Sequence, residues 1–142
     1  MMAEGLMRRR WSFVVGRGLA VSSMGIHGMD GQPPTDLAIR VCAENDIAIE
    51  KLLSRPIAGD ELRQADLVLV MEPVQKEFLK IFFPSLDDAV FLLGAWPERS
   101  DSKKAIIKDP VGGTIRDYRK TFQLLAKHID RIIPLLRNEY GY

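Results

Sequence analysis

The hydrophobic positions of the chain alternate between short continuous runs and stretches with helical spacing. Residues 65–71, Ala-Asp-Leu-Val-Leu-Val-Met, are almost entirely apolar, and residues 89–93, Ala-Val-Phe-Leu-Leu, repeat this pattern. Such runs are typical of strands that are covered on both faces, as in a parallel sheet. Residues 19–26 alternate between apolar and small polar side chains, which predicts a third strand.

Helical spacing and helix-terminal residues fill most of the remaining chain. Thr35 is a good N-cap, Pro73 suits the first turn of a helix, and Pro134 is expected to kink or fray the end of the last helix. Helices are predicted over 1–18, 35–46, 59–64, 74–83 and 115–136.

The alternation of strands with helices predicts an α/β fold with a parallel sheet and helices on both of its faces. Ligands of such sheets bind beyond the carboxyl ends of the strands. The polar segment 94–108 follows the last predicted strand and leads to Asp109. We therefore expect Asp109 at the ligand-binding edge of the sheet.

Length and composition restrict the functional classes. A chain of 142 residues suits a single domain over 1–142, and a formal net charge of +1 predicts no general attraction to nucleic acid or to a membrane. No apolar run reaches membrane-spanning length, and the first residues lack the order of a signal peptide. These features predict a cytoplasmic protein.

The only cysteine, Cys42, excludes an internal disulfide framework and a multi-cysteine zinc site. His27 and His128 are too isolated to suggest a metal site. Cys42 lies in the middle of a predicted helix, with no helix N-terminus or cluster of cations to stabilise a thiolate, so we expect a buried thiol. Arg8, Arg9 and Arg10 could bind phosphate, but the spacing favours the solvated face of a helix.

Residues 108–114, Lys-Asp-Pro-Val-Gly-Gly-Thr, predict a sharp turn followed by a helix. Asp-Pro and Gly-Gly both interrupt regular structure, and Thr114 is a good N-cap. Asp109 lies at the lip of this turn, where a carboxylate can face a cleft. Most strings of this kind are surface turns without chemistry, so the rest of the chain has to decide its role.

Four segments, residues 2–6, 21–25, 65–71 and 109–113, resemble the low-molecular-weight protein tyrosine phosphatases in order and in spacing. The likeness covers nearly the whole chain. The last segment, continued to Tyr118, looks most like the bacterial members, including those that act on phosphoarginine. The resemblance implies a parallel four-stranded sheet flanked by helices. It also implies hydrolysis of phosphomonoesters in phosphorylated proteins or small molecules, without a cofactor or a metal.

The resemblance assigns roles to two residues. Asp109 matches the general acid, which protonates the leaving oxygen and then activates water as a base. Ser23 matches the serine that supports the phosphate loop. In the family, a central strand and a Cys-x5-Arg-Ser-Pro loop precede Met-Ala-Glu; the cysteine is the nucleophile, and the arginine and loop amides hold the phosphate. This sequence begins where that loop would end, so we expect an N-terminally truncated, poorly stable domain without the first strand. Cys42 does not match the motif, and no phosphate-binding residue can be assigned.

Three functional hypotheses follow. The chain could be a shortened record of an active phosphatase, a catalytically inactive relative that binds phosphorylated ligands, or an arsenate reductase. The reductases need further cysteines, so the third is disfavoured. Val111 stands where many eukaryotic members carry a tyrosine after Asp-Pro, which weakens the expectation of phosphotyrosine. Trp96 could offer an aromatic surface instead, or could anchor its loop.

Overall fold

The computed structural model describes residues 1–12 and 18–141. Two short 3-10 helices cover Pro84–Ala89 and Lys103–Ala105. The other elements are α1 (Met2–Trp11), α2 (Asp36–Ala43), α3 (Gly59–Arg63), β1 (Val68–Val70), α4 (Pro73–Phe82), β2 (Val90–Leu92) and α5 (Ile115–Tyr140).

The two strands form a parallel pair, with Val68 opposite Val90 and Val70 opposite Leu92. Helix α4 lies between them in the sequence, as the connection of a parallel pair requires. The order of strands and helices confirms the predicted α/β class. In the described residues the sheet has two strands, so the count of four strands implied by the resemblance stays a prediction.

The strand predicted over 19–26 is wrong. Residues 18–24 form no ladder, and the backbone pairs only at Gly25, which makes an isolated parallel bridge with Pro56. An alternating pattern shows only which side chains are apolar, whereas a strand also requires a neighbouring backbone. Here the Gly25 amide finds its acceptor in the Arg55 carbonyl, at 2.9 Å.

The helix termini follow the capping residues closely. Thr35 Oγ1 accepts from the Ala38 amide at 3.3 Å, and Pro73 occupies the first turn of α4, as predicted. Helix α1 ends at Trp11, and residues 13–17 of the helix predicted over 1–18 lie outside the described residues.

The prediction that α5 frays at Pro134 is wrong, because the helix runs through Pro134 to Tyr140. Ile132 and Leu136, on either side of the proline, are buried, whereas Pro134 itself is exposed. Burial of the flanking turns offsets the hydrogen bond that the proline cannot donate.

The larger hydrophobic cluster joins α1, α2 and α5. Leu6, Val41, Ile129 and Ile132 are essentially inaccessible to solvent within it. Trp96 also belongs to this cluster and is 5% exposed, so it anchors its loop and offers no aromatic surface. A smaller cluster packs α4 against the two strands.

Within residues 1–12 and 18–141, no helix combines the length and the apolar character needed to cross a membrane.

The α1–α5 contact predicts a large effect of a core truncation. Ile129→Ala should lower the free energy of unfolding by about 2–5 kcal/mol, because it removes buried methyl groups and leaves a cavity. Urea unfolding measures this loss. The matched control is Val74→Ala, at a side chain that is 69% exposed, which should change stability by no more than about 0.5 kcal/mol. Equal losses in the two variants would contradict the assigned core.

Candidate active site

Asp109 lies at the carboxyl edge of the sheet, where the sequence places it. The Ile107 amide donates to the carbonyl of Met71 at 3.0 Å, immediately beyond the end of β1. Asp109 follows two residues later and its side chain is exposed. Because ligands of parallel sheets bind at this edge, the carboxylate is available to a bound molecule.

The turn around Asp109 holds one oxygen of the carboxylate. The Val111 amide donates to Asp109 Oδ1 at 3.0 Å, and the Gly113 amide donates to the Pro110 carbonyl at 2.8 Å. Gly112 has φ +83°, which favours glycine, and a Cβ on Gly113 would lie 2.9 Å from the Pro110 oxygen. Asp109 Oδ2 makes no hydrogen bond to a described residue, so it is accessible to a bound molecule.

A capping box fixes the end of this turn to α5. The Thr114 amide donates to Asp117 Oδ2 at 2.8 Å, and the Asp117 amide donates to Thr114 Oγ1 at 3.3 Å. Hydrogen bonds from the Thr114 backbone and hydroxyl lower the pKa of Asp117 below its usual value. Asp117 therefore stays ionised and favours the helix N-terminus electrostatically.

The first turn of α1 is on the same side of the molecule as Asp109. Burial lowers the pKa of the Met1 amino group, and the nearby Glu4 and Asp109 carboxylates oppose this shift. These charges act only at short range, so the start of α1 is near the Asp109 turn.

Ser23 is attached to the first turn of α1 through a buried acid. Ser23 Oγ donates to Glu4 Oε2 at 2.5 Å, and Glu4 is 8% exposed. Arg8 neutralises Glu4 through a contact of 2.5 Å to Oε1, and it also donates to the Val21 carbonyl at 2.8 Å. Sequence reasoning missed Glu4 and its pairing, although the four-residue spacing of Glu4 and Arg8 on one helix is a recognisable signal.

The neighbouring Ser22 uses a second, exposed ion pair. Ser22 Oγ donates to Glu61 Oε1 at 2.9 Å, and the Arg55 guanidinium donates to both Glu61 oxygens at 2.9 Å. The hydrogen bonds from Arg55 and then from Ser22 lower the pKa of Glu61 to about 2. Ser22 and Ser23 therefore connect residues 21–25 to two different helices, α3 and α1.

Cys42 is inert, as predicted. Its side chain is fully buried in α2, and burial raises the pKa of the thiol to about 11. The thiol is neutral at pH 7 and inaccessible, so it is neither a nucleophile nor a metal ligand. Among residues 1–12 and 18–141, no three His, Cys, Asp or Glu side chains are grouped so that they could hold a metal ion.

Arg8 and Arg10 lie on the solvent-accessible face of α1, as the spacing favours. Arg8 pairs with Glu4, and Arg10 Nε donates to Asp130 Oδ1 at 2.6 Å, which links α1 to α5. A hydrogen bond that the sequence did not indicate joins Thr35 Oγ1 to the hydroxyl of the buried Tyr118, at 3.0 Å. It connects the start of α2 to the first turn of α5.

The two serines make a matched test of the buried acid. Ser23→Ala should lower the free energy of unfolding by about 1.5–3 kcal/mol, because the buried and charged Glu4 carboxylate loses the hydrogen bond that the serine hydroxyl donates. Ser22→Ala should cost less, because Glu61 is exposed and keeps both bonds from Arg55. Urea unfolding of both variants measures the difference. A larger loss for Ser22→Ala would show that Glu4 does not depend on Ser23.

Comparison with known proteins shows the family of the chain. The family model described as "Low molecular weight phosphotyrosine protein phosphatase" matches residues 1–140. A probable low molecular weight protein-tyrosine-phosphatase, EpsP of Ralstonia nicotianae, is 26% identical over 136 residues, covering 96% of this chain and 86% of the relative. The protein-arginine-phosphatase of Bacillus subtilis is 28% identical over 140 residues, covering 97% and 89%.

A solved structure shares the fold. The YwlE arginine phosphatase from Geobacillus stearothermophilus superposes with a TM-score of 0.86 at 28% identity, covering 97% of this chain and 84% of that one. The family match spans nearly the whole chain, and the structural neighbour reproduces its architecture. The chain therefore belongs to the low molecular weight phosphotyrosine protein phosphatase family.

Proposed function

We propose that the chain serves the hydrolysis of phosphomonoesters on phosphorylated proteins, with Asp109 as the general acid and then the general base. One observation supports this assignment above the others. Asp109 is an exposed carboxylate at the carboxyl edge of the sheet, with Oδ1 held by the Val111 amide and Oδ2 unbonded to any described residue. A proton-transfer group needs this combination of fixed orientation and access.

The reaction proceeds in two displacements at phosphorus. In the first, a thiolate sulfur forms a bond to phosphorus while the bond to the leaving oxygen breaks, and Asp109 gives that oxygen its proton. In the second, Asp109 takes a proton from water, the water oxygen bonds to phosphorus, and the sulfur–phosphorus bond breaks to release phosphate. Asp109 returns to its protonated state at the end of the cycle.

The nucleophile of this reaction is not Cys42. That thiol is buried and its pKa is raised to about 11, and the sequence contains no other cysteine. We propose that the first turn of α1 is where a phosphate loop with a Cys-x5-Arg pattern would join the fold. Ser23 would support such a loop, because its hydroxyl is bonded to Glu4 in that turn. The inertness of Cys42 also favours the alternative, in which the protein binds phosphorylated ligands without turnover.

The turn also bears on the substrate. Val111, the residue after Asp109-Pro110, is 66% exposed and offers a small aliphatic surface, and Trp96 is buried. A phosphotyrosine ring therefore lacks an aromatic partner in this turn. We propose phosphoarginine as the second candidate substrate, since its guanidino group does not need an aromatic wall. The bond that breaks is then P–N, and Asp109 gives its proton to the guanidino nitrogen.

Joining the chain at Met1 to a strand and a Cys-x5-Arg loop tests the role of Asp109. The extended protein should hydrolyse p-nitrophenyl phosphate, and Asp109→Asn should lower its kcat by about 10²–10⁴-fold, because the leaving oxygen and the water lose their proton partner. Asp30→Asn, at another exposed loop acid, is the control and should leave kcat unchanged.

Full activity of the Asp109→Asn variant would contradict the assignment. The unextended chain provides a further check, with Cys42→Ser as its partner variant. If the unextended chain hydrolysed p-nitrophenyl phosphate and Cys42→Ser abolished this activity, the interpretation of Cys42 as an inert thiol would be wrong. Stoichiometric phosphate binding by the extended protein without turnover would favour the binding alternative.

Val111→Tyr tests the substrate preference. In the extended protein it should raise kcat/KM for a phosphotyrosine peptide about 2–12-fold, because stacked aromatic rings attract each other beyond their buried area. The same change should leave kcat/KM for a phosphoarginine peptide unchanged or lower it. Val74→Tyr, on the exposed face of α4, is the control for an added aromatic ring. An equal gain for both peptides would contradict a selective role of residue 111.

A further inference from the structure

The solvent face of α5 carries three cations in line. Arg116, Lys120 and Lys127 are separated by four and seven residues, so they lie on one face of the helix and span about 16 Å along its axis. All three side chains are exposed. We call these three residues the cationic ridge.

The cationic ridge lacks the ion pairs that other cations of this protein make. Among the described residues, no carboxylate lies within 4.0 Å of its three charged groups, whereas Arg119, on another face of α5, makes two hydrogen bonds to Glu44. Arg116 and Lys120 do contribute to the lowered pKa of Asp117, but this carboxylate is bonded to Thr114. The ridge charges are therefore available to a partner.

The cationic ridge begins beside the Asp109 turn. Its first member lies two residues after Thr114, and Thr121 Oγ1 contacts the Lys108 carbonyl at 3.4 Å. The backbone that leads into Asp109 thus lies against the second turn of α5. An extended peptide advances about 3.3 Å per residue, so the ridge of about 16 Å would accommodate about five residues.

From this arrangement we infer that the cationic ridge binds an acidic stretch of the substrate protein that lies beside the phosphorylated residue. The placement of the phosphorylated residue at Asp109 rests on the proposed function, whereas the attraction of the ridge for an acidic peptide does not. Opposite charge along an extended contact favours recognition and faster association.

A nucleic acid fits this surface less well than an acidic peptide. The formal net charge is only +1, and three cations are fewer than the roughly 6–10 phosphate contacts of typical DNA-binding proteins. Asp117 and Asp130 lie on the same helix and would repel a continuous polyphosphate backbone. A short peptide with separated carboxylates avoids both problems.

Two unphosphorylated decapeptides test the ridge on the chain itself. The first alternates glutamate with glycine, and the second replaces each glutamate with glutamine. In an amide-resolved NMR titration, the glutamate peptide should perturb residues 116–127, with affinity that falls as salt is raised. The glutamine peptide should cause no such perturbation.

Charge variants then locate the site. The triple change Arg116→Gln, Lys120→Gln and Lys127→Gln should weaken binding of the glutamate peptide about tenfold, the sum of three exposed charge contacts. The control changes Lys51→Gln, Lys80→Gln and Arg137→Gln remove the same net charge from exposed positions elsewhere. The control should stay within about twofold of the unaltered chain.

Three results would overturn the inference: equal weakening in the two triple variants, equal binding of the two peptides, or tighter binding of a 12-base-pair DNA duplex than of the glutamate peptide. The outcome is separable from that of the proposed function. Asp109→Asn should leave the affinity for the unphosphorylated glutamate peptide unchanged, even though it lowers the kcat of the extended protein. A variant that loses turnover but still binds the peptide would therefore bear on the role of Asp109 and not on the cationic ridge.

Discussion

Helix α5 buries one of its faces against α1, and this contact organises the larger hydrophobic cluster. Leu6 of α1 and Ile129 of α5 are fully buried in the same cluster, which also takes in Val41 of α2. The Arg10–Asp130 pair joins the same two helices at the surface. Because the Asp109 turn runs directly into α5, this packing also fixes the position of the acid relative to the start of α1.

The two carboxylate oxygens of Asp109 have different surroundings. The Val111 amide orients Oδ1, and Oδ2 is left for a ligand. Gly112 and Gly113 permit a chain path that other residues would strain, and the capping box at Thr114 transfers this geometry to α5. The orientation of the side chain thus comes from a backbone amide of the same turn.

The charged side chains of this protein differ in how deeply they are buried, and therefore in how much they depend on their partners. Glu4 is buried, and a carboxylate in that position needs both the Arg8 charge and the Ser23 hydroxyl to offset the loss of water. Glu61 makes more hydrogen bonds but stays exposed, so its pair with Arg55 contributes little to stability. The cations of the ridge are exposed and have no ion-pair partner among the described residues, so their charge is left for binding.

Features that depend on neighbouring residues could be predicted from the linear sequence. These were the two parallel strands, the caps at Thr35 and Thr114, the proline at the start of α4 and the buried position of Cys42 in α2. Each depends on side-chain periodicity or on a hydrogen bond within a few residues, and both are visible in a linear sequence.

Features that depend on residues far apart in the sequence became visible only in the folded chain. Residues 19–26 alternate like a strand but find no backbone to pair with except at Gly25, and α5 continues through Pro134 because Ile132 and Leu136 are buried against other elements. The partner of Ser23, the burial of Trp96 and the bond between Thr35 and Tyr118 also join residues far apart in the sequence. Tertiary packing determines such contacts, because their energy depends on which surfaces meet and not on the local order of residues.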